Sequence, residues 1–133
     1  MPTVPAARVW LDWYAASVGL TYVKGTVRND GQQATLDFLV DSGATYSLLP
    51  HDTWRRLGLE PERRQAFVLA DGRMLERGLA ECHFEFEGRS TSTWVILGEP
   101  DDEALLGAYT LEGLQLTLDP FSRKLLPMLG RLA

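Results

Sequence analysis

Turn signals punctuate this chain at short intervals, and the runs between them alternate apolar with polar residues. Asn29-Asp30-Gly31, Asp71-Gly72 and Gly88 each border such a run. Leu36, Phe38 and Val40 fall on one side of a strand with Thr35 and Asp37 on the other; Cys82, Phe84 and Phe86 alternate in the same way with Glu81, His83, Glu85 and Glu87. A period of two marks strands that lay one face on a core. Strands are expected over 20–27, 33–40, 46–49, 65–70, from near Arg73, through 82–86, over 91–97, 114–118 and 124–128. Asp71-Gly72 is read as a two-residue hairpin turn joining 65–70 to the strand after it. Leu105-Leu106-Gly107 is read as a buried edge. Helix is confined to about 51–57, where Trp54 and Leu57 are three apart and Gly58 stops the run, and to a turn at Tyr109 to Glu112 ended by Gly113. The fold class is all-β, a small closed or sandwich-like barrel with one or two short helices.

At 133 residues with 45% hydrophobic content, the chain suits one core. Residues 19–133 are expected to form the domain. Residues 1–18 read as an N-terminal extension, either a short helix with Trp10, Trp13 and Tyr14 on one face or a disordered tail. Asp12 interrupts the apolar stretch there, so no signal peptide is expected. A net charge of -5, with no long Lys/Arg run, argues against nucleic acid as a partner. No stretch of about eighteen apolar residues suggests a membrane span. Cys82 is the single cysteine and has no partner for a disulfide. A reducing cytoplasm is the expected location.

The chemistry centres on Phe38-Leu39-Val40-Asp41-Ser42-Gly43-Ala44-Thr45. An acid directly after a buried strand is held rigidly, and Gly43 lets the backbone turn closely around the carboxylate and offer it N–H groups. One carboxylate is a poor base for activating water. Two facing carboxylates share a proton, so that one acts as base while the other acts as acid. The chain carries one Asp-Ser/Thr-Gly triplet and is too short for two lobes. A second Asp41 must then come from a second copy across a two-fold axis.

These residues resemble the retropepsin-like aspartic peptidases, the family of the retroviral proteases. The resemblance runs over roughly residues 20 to 128 in the family's order: opening hairpin, apolar-apolar-Asp-Ser-Gly-Ala, a hairpin flap, apolar-apolar-Gly, closing strands. Leu97-Gly98-Glu99-Pro100 and Glu103-Ala104-Leu105-Leu106-Gly107 look like the small cellular and microbial members. The resemblance implies a closed acid-protease barrel active as a homodimer on polypeptide substrates, with no metal or other cofactor. It makes Asp41 the catalytic acid and base, and it implies that Ser42 bonds across the dimer and that Gly43 and Ala44 line the cleft, with Thr45 completing the loop. Asp71, Gly72 and Arg73 fall at the flap that closes over substrate, and Leu105, Leu106 and Gly107 pack beside the active-site loop. Two departures stand out. The flap is charged where viral flaps are rich in glycine, and Gly107 is followed by Ala108 rather than arginine.

Other readings are weaker. Ser42 lacks a Gly-x-Ser-x-Gly frame, and His51 and His83 have no triad spacing. Cys82 and His83 are adjacent on a strand and point to opposite faces, so they make a poor metal pair. Glu99, Asp101, Asp102 and Glu103 read as a solvated loop rather than a cation site. The charged flap motivates one alternative of a different class, a peptide-binding or dimerisation module with the same groove and little turnover.

Overall fold

In the computed structural model, residues 20–130 are described. The expected extension 1–18 lies outside them. They form nine strands and two short helices: β1 Tyr22–Asn29, β2 Gln32–Val40, β3 Ser47–Leu49, α1 His51–Arg56, β4 Arg63–Val68, β5 Met74–Phe86, β6 Arg89–Leu97, β7 Leu105–Leu106, α2 Ala108–Gly113, β8 Leu116–Asp119 and β9 Lys124–Pro127. Element boundaries differ from the sequence reading mostly by one or two residues.

Two tight hairpins start the architecture. Asp30 and Gly31 (φ 48° and 80°) join β1 to β2, and Glu87 and Gly88 (46° and 80°) join β5 to β6. Two successive positive φ values give a turn whose twist matches that of the flanking strands. The third hairpin differs from expectation. At Asp71-Gly72 only Gly72 has positive φ, at 87°, and its N–H donates to the Leu69 carbonyl at 2.9 Å while Leu69 N–H donates to Arg73 O at 2.8 Å. Three residues, Ala70 to Gly72, therefore span the β4–β5 connection, with the glycine taking the left-handed position.

Among the described residues, six strands close into a ring in the order β1-β2-β7-β3-β6-β5, sealed by antiparallel pairing of β5 with β1 at Thr26↔Glu85, Val27↔Phe84 and Arg28↔His83. Closure removes the free edges that would otherwise pair with other chains. The barrel is the all-β class expected. Its interior holds Val27, Phe38, Val40, Leu49, Phe84 and Val95, with the Phe38 and Phe84 rings tilted at 5.8 Å between centroids. Burying each of these two rings contributes roughly 1.5–3 kcal/mol. Leu105-Leu106 is not an edge. It is an internal strand, parallel to β2 at Leu39↔Leu105 and Val40↔Leu106 and antiparallel to β3 at Leu48↔Leu105. So short a segment reads as an edge in sequence because its two neighbours are distant in the chain.

Two parts stand off the ring. β4 pairs only with β5, from Arg63↔Leu79 to Val68↔Met74, while the pairing of β5 with β6 begins at Leu79. The stretch Arg63 to Gly78 is thus a two-stranded arm projecting from the barrel. β8 and β9 form a separate small ribbon.

Candidate active site

Asp41 follows the last residue of β2, whose end is hydrogen-bonded on both sides. Leu39 N–H donates to Ala104 O and Asp41 N–H to Leu106 O, while Val40 N–H donates to Thr21 O, each at 2.9 Å. Val40 is buried and Asp41 is exposed, so the carboxylate stands at the point where a fixed strand leaves the core. The loop then folds back on itself. Gly43 N–H donates to Asp41 Oδ1 at 3.1 Å and Ala44 N–H to Asp41 O at 3.1 Å. Asp41 Oδ2 has no hydrogen-bond partner among the described residues.

The far side of the loop is clamped by the segment after β7. Ala108 N–H donates to Ala44 O at 2.7 Å and Tyr109 N–H to Thr45 O at 3.1 Å. Gly107 lies so close that a Cβ on it would sit 2.5 Å from the carbonyl carbon and oxygen of Tyr46. Its N–H donates to Ser47 Oγ at 2.9 Å, and Ser47 Oγ shares a hydrogen bond with Thr110 Oγ1 at 2.6 Å. Both hydroxyls are fully buried, where an unpaired polar group would be costly. Leu105, Leu106 and Gly107 thus lie beside the loop, reinforced by a Ser47–Thr110 pair that the sequence reading missed. Its signal was a serine at a core-facing position of an otherwise apolar strand.

Gly43, Ala44, Thr45 and Leu105 help line a cavity of about 600 Å³. Its opposite wall comes from the arm, through Gln65, Phe67 and Val68, and its end from Tyr109 of α2. Ser42 is exposed on the other side of the loop, at a smaller hollow of about 160 Å³ bordered by Ala108, Leu118 and Met128. Asp71, Gly72 and Arg73 do not line the large cavity. They form the exposed tip of the arm, where Arg73 Nε donates to Asp71 Oδ2 at 2.6 Å and Arg73 N–H to Asp71 Oδ1 at 3.0 Å. The tip charges thus pair with each other. Just behind them Val68 and Met74, opposite one another in the ribbon, are both exposed.

Sequence reasoning also missed an aromatic group around Tyr46. Its ring meets Phe67 edge-on at 6.1 Å and Tyr109 edge-on at 5.5 Å, and its hydroxyl donates to Gln65 Oε1 at 3.3 Å. Nothing local marks these residues, since they come from β4, α2 and the end of the loop.

Elsewhere the chemistry is structural. Cys82 is buried, and removal from water pushes its thiol up to about 11. His83 faces outward and its Nδ1 lies 3.1 Å from Ser92 Oγ. In the acidic loop, Asp102 Oδ2 accepts the Glu99 N–H at 2.7 Å. The Ser122 hydroxyl and the Phe121 N–H hold Asp119 below the usual carboxylate range in the β8–β9 turn. Among the described residues, no three His, Cys, Asp or Glu side chains converge to hold a metal ion, and no helix is long and apolar enough to cross a membrane.

A closed barrel with an Asp-Ser-Gly loop beneath a projecting hairpin defines a retropepsin-like fold. The chain belongs to the aspartyl protease family, whose model matches residues 23–110. A search of curated proteins finds no match. Among solved structures, the protease of simian foamy virus (mac) aligns with a TM-score of 0.52 and 20% identity, covering 69% of this chain and 92% of that one. EIAV protease in complex with the inhibitor HBY-793 aligns with a TM-score of 0.56 and 21% identity, over 71% of this chain and 88% of that one. At such identities these likenesses establish the fold.

Proposed function

We propose that the protein is an aspartic endopeptidase that works as a homodimer, with the Asp41 carboxylates of two copies sharing a proton and activating one water. The observation that carries this reading is Asp41 itself. It is an exposed carboxylate at the end of a strand bonded on both sides, with one oxygen held by Gly43 N–H and the other without a partner among the described residues. One such acid per chain makes half a dyad, and a two-fold axis supplies the other half without new residues.

In this mechanism the ionised member of the pair takes a proton from water as the oxygen attacks the scissile carbonyl, and the protonated member donates to the carbonyl oxygen. Gly43 and Ala44 offer backbone groups beside an extended substrate, and Ser42 bonds across the dimer. The arm from Arg63 to Gly78 covers the cleft as a flap, with the tip at Asp71, Gly72 and Arg73. The same proposal places the protein in the cytoplasm, where a single buried thiol needs no oxidising environment.

The reading is tested by incubating wild-type protein and Asp41→Asn with a library of unstructured peptides. Turnover that disappears in the variant, in fractions that sediment as dimers, is the expected result. Full activity in Asp41→Asn would sink the mechanism. Peptide capture without turnover in the wild type would instead favour the binding-module alternative.

A further inference from the structure

A two-stranded ribbon is marginal in water by itself, so the arm formed by β4 and the first part of β5 needs a hold on the rest of the molecule. Val68 and Met74 near its tip do not supply one, since both are exposed. At its base, Arg63 lies over the Trp94 ring at 4.3 Å. Further out, Arg77 reaches Glu99 at 3.8 Å, but the Glu99 side chain is largely exposed and such a pair contributes little. The closer hold is Tyr46. Its hydroxyl bonds Gln65 and its ring meets Phe67, the two inward residues on the outer half of β4.

Tyr46 is also fixed from behind. Its ring abuts Tyr109 on α2, and its carbonyl lies against Gly107 with no room for a side chain between them. One residue thus joins the loop that carries Asp41, the helix behind it and the arm above it. We propose that Tyr46 is a positioning residue for the flap: it docks the arm onto its own subunit and sets how closely β4 approaches the active-site loop, and thereby how tightly an extended peptide is held. The kinetic consequence rests on the endopeptidase reading. The structural consequence rests on the geometry alone.

The test compares wild type, Tyr46→Phe and Tyr46→Ala by hydrogen exchange and by peptide kinetics, with Asp41→Asn alongside. Tyr46→Phe keeps both ring contacts and loses the bond to Gln65; Tyr46→Ala loses all three. Exchange should quicken over 65–68 and 74–77, weakly in Tyr46→Phe and strongly in Tyr46→Ala, while 79–86 stays protected. The Michaelis constant should rise on the order of tenfold in Tyr46→Ala with kcat within about twofold. Unchanged exchange over 65–68 would overturn the proposal. So would uniform acceleration through the barrel or global unfolding, which would make Tyr46 only a core residue, and so would a fall in kcat at constant KM. If turnover survives in Asp41→Asn the endopeptidase reading falls, and the exchange pattern still decides whether Tyr46 docks the arm.

Discussion

Gly107 and Tyr46 touch backbone to backbone, closely enough that a methyl group on Gly107 would lie 2.5 Å from the Tyr46 carbonyl. The contact presses the segment after β7 against the loop that carries Asp41, and neither side can retreat, because Ala108 and Tyr109 are bonded to Ala44 and Thr45. Gly107→Ala should therefore destabilise the protein by about 2–3 kcal/mol, toward the upper end for overpacking, since backbone rather than a flexible side chain must move. Urea denaturation measures the loss. An unchanged midpoint would show that the segment can shift freely.

The buried Ser47–Thr110 pair makes a second prediction. Thr110→Val keeps the shape but removes one hydroxyl, leaving Ser47 Oγ with only the Gly107 N–H. Ser47→Ala strands the Gly107 N–H and the Thr110 hydroxyl together. Each change should cost about 1–3 kcal/mol. The double variant should cost less than the sum, because both remove the same bond. Additive losses in thermal or urea melts would contradict a shared network.

Asp41→Asn should abolish peptide cleavage while leaving the far-UV spectrum and the melting point nearly as in wild type, since the side chain is exposed and an asparagine Oδ1 still accepts the Gly43 N–H. In the proposed dimer, a pair of carboxylates sharing one proton works only when one is ionised and the other is not. Activity against pH should fall on both sides of an optimum. A flat profile from about pH 3 to 8 is the outcome incompatible with that chemistry.

Cys82 supplies a pH prediction with a definite sign. Its thiol is raised from 9.0 to about 11 by burial, so the unfolded chain releases this proton first as pH increases. The stabilising contribution is complete below pH 9 and is lost as the pH climbs toward 11, by roughly 2–3 kcal/mol in total. Wild type should lose stability relative to Cys82→Ala across that window, as read by parallel urea titrations. At pH 8 the native thiol should react with a disulfide reagent far more slowly than the same thiol in urea. Parallel stability curves, or rapid native labelling, would place the thiol nearer solvent.

Much of the barrel is legible in the sequence. The alternation at Leu36, Phe38 and Val40 and at Cys82, Phe84 and Phe86 named the inward faces, and the strands at those places agree. Asp71-Gly72 marked a hairpin correctly but not its length. A glycine after an aspartate suits either two positive φ values or one, and the three-residue solution at Ala70 to Gly72 depends on how the arm is twisted. The sequence of Leu105-Leu106 shows burial but not its place inside the sheet, because a two-residue segment has no periodicity that reveals how many neighbours it will have.

The linear order of residues by itself determined what depends on neighbours along the chain: strand faces, turn sites, and the rigid acid at Asp41 after an apolar run. Only the tertiary structure decided what depends on chain segments meeting from afar. β7 became an inner strand because β2 and β3 flank it, Ser47 found Thr110, and Tyr46 came to stand between the β4–β5 arm and α2. Strand periodicity and turn sites are local properties that the order of neighbouring residues encodes directly. Close approaches such as that of Gly107 to Tyr46 arise only when the closing barrel brings the two segments together.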